Sequence, residues 1–303
     1  MSNAIEIERL SYRAGKTFAI EDLDLHVPSG SIYGFLGPNG SGKTTTIRLI
    51  LGLLRARAGR ITVLGDAMPA QHARVLAHVG YVPEQPHLDA TLTVQELIDF
   101  QAAFYPRWDQ ARAAELVSRF ELDAGQLFGR LSKGQKAKLM MLLALAQCGD
   151  LLVLDEPTDG LDPVVRRDIL SALLAYVSER SATIFISSHL VHELERVCDW
   201  VAVMDNGRLI IESPMETFKR GIKRLTVSGA PRELRDAPFR MLRRESENGA
   251  GESWVVANWE PGMLAYVQGL GAVVNDVIDL DLEDGFVELL RSFRGSAAGR
   301  TTP

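Results

Sequence analysis

One glycine-rich segment constrains this chain more than any other feature of its sequence. Residues 37–44 read GPNGSGKT, between the β-type run SIYGFLG and the helical pattern TTTIRLILGLL. In a strand–loop–helix unit with this spacing, glycines let backbone N–H groups surround phosphate oxygens, and the lysine reaches the β- and γ-phosphates. An ordinary glycine-rich turn is the alternative, but the flanking strand and helix favour a nucleotide site. The predicted phosphate-contacting residues are Gly37, Pro38, Asn39, Gly40, Ser41, Gly42, Lys43, Thr44 and Thr45.

A second signal is the apolar run Leu151–Leu154, which ends in Asp155 and Glu156. Such a run predicts a buried parallel strand, and α/β proteins bind ligands at the carboxyl ends of parallel strands. We therefore expect Asp155 and the Thr44 hydroxyl to hold Mg²⁺, and Glu156 to be the base that activates the attacking water. An apolar strand that ends in acids is common by itself, so this interpretation depends on the glycine-rich loop.

Four further elements, in a fixed order along the chain, distinguish among nucleotide-binding proteins. They are Tyr81-Val82-Pro83-Glu84-Gln85, Leu131-Ser132-Lys133-Gly134-Gln135, Gly160-Leu161-Asp162 and His189 after the run TIFISS. The second resembles the Leu-Ser-Gly-Gly-Gln signature of ABC ATPases, and the others resemble that family's Q-loop, D-loop and switch histidine. The resemblance covers roughly residues 4–218, and FYPRWD at residues 104–109 is similar to the ATPases of bacterial ABC-2-type exporters.

The resemblance implies a role for each of these positions. Gln85 would be a further ligand of Mg²⁺, and His189 would bond the γ-phosphate of ATP and orient the water. Tyr12 would stack on adenine, with Phe18 as the rival aromatic residue. The signature and D-loop residues implied to contact nucleotide are Ser132, Gly134, Gln135 and Asp162. Because Ser132 opens a helix, whose first N–H groups favour an anion, the sequence itself supports an anion site there.

Two motifs depart from the family pattern. The third signature residue is Lys133 where the family has Gly, and the D-loop reads Asp159-Gly160-Leu161-Asp162 where the family usually has Ser-Ala-Leu-Asp. The Lys133 ammonium could add affinity for phosphate or lie solvated outside the site. The sequence leaves both possibilities open.

Composition and patterning predict a globular chain of two parts, since 46% of the residues are hydrophobic and 24% are charged. The resemblance implies a P-loop α/β core of ABC type with an antiparallel β portion and a helical subdomain near residues 90–150. This nucleotide-binding domain would span residues 1–220. Alternating runs predict a small accessory α+β domain over residues 221–294. We expect residues 295–303 to be a disordered tail.

Charge and hydropathy narrow the possible partners. Lys and Arg number 33 against 39 Asp and Glu, and the net charge of -6 disfavours binding to nucleic acid. The longest apolar stretch, Leu139–Ala146, is far shorter than the roughly 20 residues that cross a bilayer, so we expect no membrane span. Cys148 and Cys198 lie in apolar helical patterns without metal-ligand spacing, which predicts buried free thiols.

These observations together predict an ATPase that drives transport. Only one nucleotide-binding unit is present, so a site shared between two units requires a homodimer or a heterodimer with a related ATPase. A separate membrane permease would form the transport path, and the branch that the chain resembles implies export. We expect a cytoplasmic protein held on the inner face of the cell membrane through that permease.

Two alternatives belong to other functional classes. An ABC ATPase that acts on ribosomes or DNA usually carries tandem nucleotide-binding units or long coiled coils, and this sequence has neither. A nucleotide-regulated binding protein with little turnover would not need Glu156, Gln85 and His189 together.

Overall fold

The computed structural model describes residues 2–15, 18–234, 236–246 and 251–298. The strands are β1 Asn3–Ala14, β2 Phe18–Pro28, β3 Ile32–Leu36, β4 Ala58–Val63, β5 Asp66–Met68, β6 Val79–Val82, β7 Leu151–Asp155, β8 Thr183–Ser188, β9 Trp200–Asp205, β10 Arg208–Pro214, β11 Lys223–Ser228, β12 Arg240–Ser246, β13 Gly251–Ala257 and β14 Val273–Asp279. The α-helices are α1 Lys43–Ile50, α2 His72–Leu76, α3 Val94–Ala102, α4 Gln110–Arg119, α5 Lys133–Ala146, α6 Pro163–Arg180, α7 Val191–Leu194, α8 Met215–Gly221, α9 Leu264–Gly269 and α10 Leu282–Ala298.

The chain divides into two compact units. The first comprises Met1–Leu190 and Met204–Leu209, and the second comprises Val191–Val203 and Ile210–Pro303. Strands β9 and β10 contribute residues to both units. Within the described ranges, no helix combines the length and the apolar character that crossing a membrane would require.

Parallel strands form the centre of the first unit. In the six-stranded sheet the order is β10-β9-β3-β8-β7-β6, and β8 pairs in parallel with both β3 and β7. All residues of β3, β7 and β8 are buried, as expected for strands covered on both faces. A second, antiparallel sheet has the order β2-β1-β4-β5. This mixture of a parallel core and an antiparallel portion confirms the predicted fold class.

Capping residues explain why the helices begin where they do. Thr93 caps α3 in a reciprocal capping box with Glu96, and Asp109 caps α4 by accepting from the Arg112 N–H. Asp162 caps α6, which has Pro163 as its first residue. Helices α3, α4 and α5 lie within residues 90–150, where a helical subdomain was expected. Helix α7 has only four residues and begins two residues after His189.

The Asn-Gly dipeptide between β9 and β10 makes a tight hairpin. The backbone φ angles of Asn206 and Gly207 are 47° and 73°. Positive φ at both central residues is the requirement of a type I′ turn.

The second unit is built on a four-stranded antiparallel sheet of order β12-β13-β11-β14. Its core contains the fully buried Trp254 with Leu225 and Val227. Strand β12 is rich in Arg and Glu. Arg244 shows how such a strand is stabilised, because its guanidinium bonds Glu252 and lies 5.2 Å from the Trp254 ring centroid. Charged residues therefore line one face of this hairpin.

Helix α10 continues to Ala298, so the first residues of the segment expected to be a tail are helical. Residues 299–303 lie outside the described residues. Cys148 and Cys198 are both free and buried, which confirms that prediction.

Candidate nucleotide-binding site

The carboxyl ends of three neighbouring strands bring the predicted site residues together. The glycine-rich loop follows β3, Glu156 follows β7, and His189 follows β8. Because β8 lies between the other two strands and pairs Ser187 with Asp155, all three segments emerge at one edge of the sheet. Residues far apart in the sequence therefore surround one site.

Two glycines of the loop stand where a side chain would not fit. A Cβ built on Gly37 would clash with the carbonyl oxygen of Met204. Gly42 has a φ of 118°, which L side chains rarely adopt, and a Cβ there would lie 2.9 Å from Phe18 Cζ. Because glycine has no side chain at these two positions, the loop backbone can lie close to its neighbours at the N-terminus of α1.

Lys43, the first residue of α1, is a buried cation. Its Nζ donates to the carbonyl oxygen of Gly37 at 2.6 Å and lies 3.0 Å from Glu156 Oε1. The Lys43 and Glu156 side chains are only 6% and 8% exposed. A cation held this way at a glycine-rich loop can attract phosphate oxygens with little loss of side-chain freedom.

Asp155 is fully buried, and one of its oxygens is unpaired. Oδ1 accepts a 2.7 Å hydrogen bond from Ser187 Oγ, whereas Oδ2 has no hydrogen-bond partner within the described part of the chain. Burial is the largest influence on its pKa, which is raised, while the hydroxyls of Ser187 and Thr44 lower it. The Ser41 hydroxyl in the adjacent loop is also buried, and no described residue forms a hydrogen bond with it. Unsatisfied buried polar atoms cost free energy, so both oxygens fit a site that takes an ion or phosphate.

No group of three or more His, Cys, Asp or Glu side chains able to hold a metal ion occurs among the residues described. A divalent cation at Asp155 would therefore draw on hydroxyl, amide, water or phosphate oxygens as well. Magnesium is bound in this manner, by one or two carboxylates plus substrate phosphates.

Glu156 and His189 form a hydrogen-bonded pair. His189 Nδ1 lies 2.8 Å from Glu156 Oε2, and the backbone N–H of His189 donates to the same oxygen at 3.2 Å. The backbone N–H of Glu156 donates to Ser187 Oγ at 3.0 Å. A carboxylate fixed by a histidine and a lysine is suited to accept a proton from a water in a defined place.

The glycine-rich loop borders a cavity of about 370 Å³. Its lining residues are Phe18, Asn39, Gly40, Gly42, Lys43, Thr44, Thr45, Glu84 and Glu156. Phe18 therefore lines this cavity, whereas Tyr12 lies on β1 opposite Ile20 and is not part of the lining. Of the two aromatic residues considered for adenine, the structure brings Phe18 to the loop.

Gln85 lines a neighbouring cavity of about 590 Å³, together with Asp155 and Tyr81. Burial raises the pKa of Tyr81 to about 12, and the negative charge of Asp155 contributes to the increase. Gln85 thus lies in a cavity that reaches the buried carboxylate on which the predicted Mg²⁺ site depends.

The signature residues line a different cavity of about 480 Å³. Ser132 caps α5, and its hydroxyl accepts from the Gln135 N–H at 3.2 Å while Gln135 Oε1 accepts from the Ser132 N–H. Gly134 and Asp162 line the same cavity, which shares no lining residue with the cavity at the glycine-rich loop. Within one chain, then, the predicted site residues form two separate groups.

Lys133 is 65% exposed, and its Nζ lies 3.8 Å from Asp159 Oδ2. The other carboxylate oxygen of Asp159 lies 3.6 Å from His189 Nε2. Sequence reasoning missed this contact of Asp159 and the bond of Ser187 to Asp155. The sequence did offer a signal for the bond between Ser187 and Asp155, because Ser187 lies near the end of a run that predicts a strand.

The chain is similar to known proteins of one family. A family model described as ABC transporter matches residues 20–159. The bacitracin transport ATP-binding protein BcrA of Bacillus licheniformis is 35% identical over 222 residues, which cover 73% of this chain and 72% of the relative. The Nod factor export ATP-binding protein I of Burkholderia pseudomallei strain 1710b is 32% identical over 296 residues, covering 94% and 96%.

Solved structures agree with these relatives. An ATP-binding subunit of an ABC transporter is 28% identical, with a TM-score of 0.64 over 72% of this chain and 92% of that one. A dimeric ATP-binding cassette bound to ADP and Pi is 21% identical and shares the fold, with a TM-score of 0.62 over 70% and 98%. With its phosphate loop, its buried acid and its Glu156–His189 pair, the chain belongs to the ATP-binding, ATP-hydrolysing subunits of ABC transporters.

Proposed function

We propose that this chain drives export through a separate membrane permease, and that it does so as a dimer in which two chains share each ATP. The observation that carries the proposal is the separation of Lys43 and Ser132 into two cavities of one chain. A nucleotide that needs both groups must then lie between two chains. The second chain is another copy of this one or a related ATPase.

Magnesium is the proposed metal of the site. The unpaired Oδ2 of buried Asp155 supplies a hard oxygen ligand, and the Thr44 hydroxyl and the Gln85 amide would complete the protein's share. The bound ion supplies neutralisation of the charge on the β- and γ-phosphates.

The residues around the γ-phosphate have separable tasks. Glu156 accepts the proton of the attacking water, and His189 holds that carboxylate in place through its 2.8 Å contact. Lys43 stabilises the negative charge on the phosphate oxygens, while Phe18 rather than Tyr12 offers its ring to adenine. Ser132, Gly134, Gln135 and Asp162 act on the nucleotide of the partner chain.

Several apolar side chains of the first unit are exposed, and they support docking of a permease near Gln85. Leu53 lines the Gln85 cavity and is 54% exposed. Phe100 and Phe104 are also exposed, and their ring centroids are 5.0 Å apart. Exposed apolar groups of this size favour a protein partner over water.

The proposal assigns residues 1–220 to the nucleotide-binding domain and residues 221–294 to an accessory domain. Contact with the permease would hold the protein at the inner face of the cell membrane. Export is the direction named for the Nod factor relatives. The net charge of -6 disfavours a nucleic-acid partner. The complete Glu156–His189 pair disfavours a nucleotide-regulated binding protein with little turnover.

Glu156→Gln tests this proposal, because the amide keeps the shape of the side chain but loses the base. We expect hydrolysis to fall by roughly 10² to 10⁴-fold while ATP binding persists. ATP should then convert the monomeric variant into a stable dimer, measured by size exclusion with light scattering. Near-parental hydrolysis would contradict the role of Glu156. Lost hydrolysis without dimerisation would favour a regulated binding protein over a transport motor.

A further inference from the structure

A cavity of about 860 Å³ is lined by residues of the second unit, and none of them is a predicted residue of the nucleotide site. Most of its lining is apolar and includes Phe218, Ile222, Trp259, Leu264 and Val277. Sites for small molecules commonly have volumes of about 300 to 1,000 Å³ and combine apolar walls with a few polar groups. The volume and the lining therefore fit a small ligand with an apolar body.

The same cavity is lined by Lys223, a buried cation with an exposed counter-ion. Lys223 Nζ donates to Asp279 Oδ1 at 2.6 Å, and the two side chains are 10% and 78% exposed. Lysine is rarely buried without a partner, because removing its charge from water costs free energy. Since water already surrounds Asp279, a ligand anion could replace it beside Lys223 with little further desolvation.

Two other charged residues line the cavity, Arg220 and Glu260, and both are exposed. Arg220 lies 3.7 Å from Glu216 in an exposed pair, which contributes little in water. The lining thus carries two cations and one carboxylate, and the buried charge is a cation. This balance favours an anionic head group over a cationic one.

We propose that the cavity binds an amphipathic anion, with its carboxylate, phosphate or sulfonate group on Lys223 and its apolar body against Trp259 and Leu264. The ATPase mechanism uses none of these residues. The inference does not depend on the proposed function, because binding can be measured without ATP.

Calorimetric titration of the full chain with laurate, dodecanol and dodecyltrimethylammonium tests the proposal, with the two ions below their micelle concentrations and dodecanol below its solubility limit. We expect laurate to bind most tightly. Lys223→Met should reduce laurate affinity to that of dodecanol, and Leu264→Trp should weaken laurate and dodecanol alike by filling the cavity. Lys219→Met is the matched control, because Lys219 pairs with Glu195 and does not line the cavity.

Circular dichroism melts of each variant establish that it folds. Laurate affinity that is unchanged by Lys223→Met, or unchanged by Leu264→Trp, would overturn the proposal. So would a parent protein that binds dodecyltrimethylammonium as tightly as laurate.

A second inference concerns the signature and the D-loop, the two motifs that depart from the family pattern. Their unusual residues Lys133 and Asp159 lie close together. Lys133 Nζ lies 3.8 Å from Asp159 Oδ2, and its side chain covers Gly160, where a Cβ would clash with the ammonium. Asp159 Oδ1 lies 3.6 Å from His189 Nε2, and His189 Nδ1 contacts Glu156. Polar side chains therefore connect Lys133, at the start of α5, to the catalytic base Glu156.

We infer that Asp159 is a positioning residue for His189 and that Lys133 acts through Asp159. This inference rests on the proposed function, in which the signature of one chain serves the nucleotide of the other. Lys133 and Asp159 would then tie each signature to the histidine of its own chain. An exposed pair at 3.8 Å contributes little stability, so the expected effect is on turnover.

A double-mutant cycle on ATP turnover tests this second inference. Asp159→Ser should lower kcat several-fold without changing KM for ATP, and Asp159→Glu should restore most of it. Lys133→Gly should have no further effect once Asp159→Ser is present. Additive effects of the two substitutions, or a change in KM alone, would overturn it. Loss of hydrolysis in Glu156→Gln measures the site itself, so failure of this link is distinguishable from failure of the proposed function.

Discussion

Lys43 and Lys223 are the two buried lysines of the described chain, and their surroundings differ. Lys43 is held by carbonyl oxygens of its own loop and by Glu156, which is itself buried. Lys223 pairs with Asp279, which is mostly in water, and borders an apolar cavity. The first lysine is fixed by a rigid loop for one class of ligand. The counter-ion of Lys223 is exposed to water and can be replaced, so Lys223 can pair with another anion.

The same substitution at both lysines gives the largest expected contrast. Lys43→Met removes charge-assisted hydrogen bonds to phosphate and should weaken ATP binding by roughly 100-fold. Lys223→Met should leave ATP binding unchanged, because Lys223 lies outside the nucleotide cavity. Titration with a fluorescent ATP analogue measures both. Equal losses of ATP affinity in the two variants would contradict the assignment of Lys43, but not Lys223, to the nucleotide site.

The aromatic residue beside Lys43 gives a smaller effect. Phe18→Ala should weaken ATP binding by about tenfold, since stacking of a base on an aromatic ring contributes about 1–3 kcal/mol. Tyr12→Ala is the matched control and should have little effect, because Tyr12 does not line the cavity. If Tyr12→Ala weakened ATP binding more than Phe18→Ala in the same titration, Tyr12 would be the residue that contacts adenine.

The pair around Lys223 gives the smallest effect, on stability. Asp279→Asn leaves the buried cation without its carboxylate and should lower the free energy of unfolding by about 1 kcal/mol. Lys223→Met should be neutral or slightly stabilising, because a hydrophobic side chain suits the apolar walls. Urea unfolding compares them. If Lys223→Met proved the more damaging of the two, the ion pair would matter more than the cost of burying the charge.

The sequence could predict that most residues of the candidate nucleotide site come together, because they lie in short motifs. The loop, the acidic strand end and His189 each sit directly after a buried strand, and parallel pairing then brings them together. Phe18 and Tyr12 could not be separated, because which of them faces the loop depends on the path of β2 against β1.

The second unit was less predictable for a physical reason. Strand β12 is rich in Arg and Glu and does not show clean alternation, since its partners on β13 stabilise it by ion pairing and stacking. The burial of Lys223 has no local signal either. It follows from pairing with Asp279, a residue 56 positions away.

The most direct test of the account asks whether two chains share each ATP. A mixed dimer with Lys43→Ala in one chain and Ser132→Arg in the other would concentrate both faults in one shared site and leave the second intact. A control dimer carries both substitutions in one chain beside a parental partner, which damages both shared sites. In a Glu156→Gln background, the account predicts one occluded ATP per mixed dimer and none in the control. The opposite result, none in the mixed dimer and one in the control, would show that each chain completes its own site.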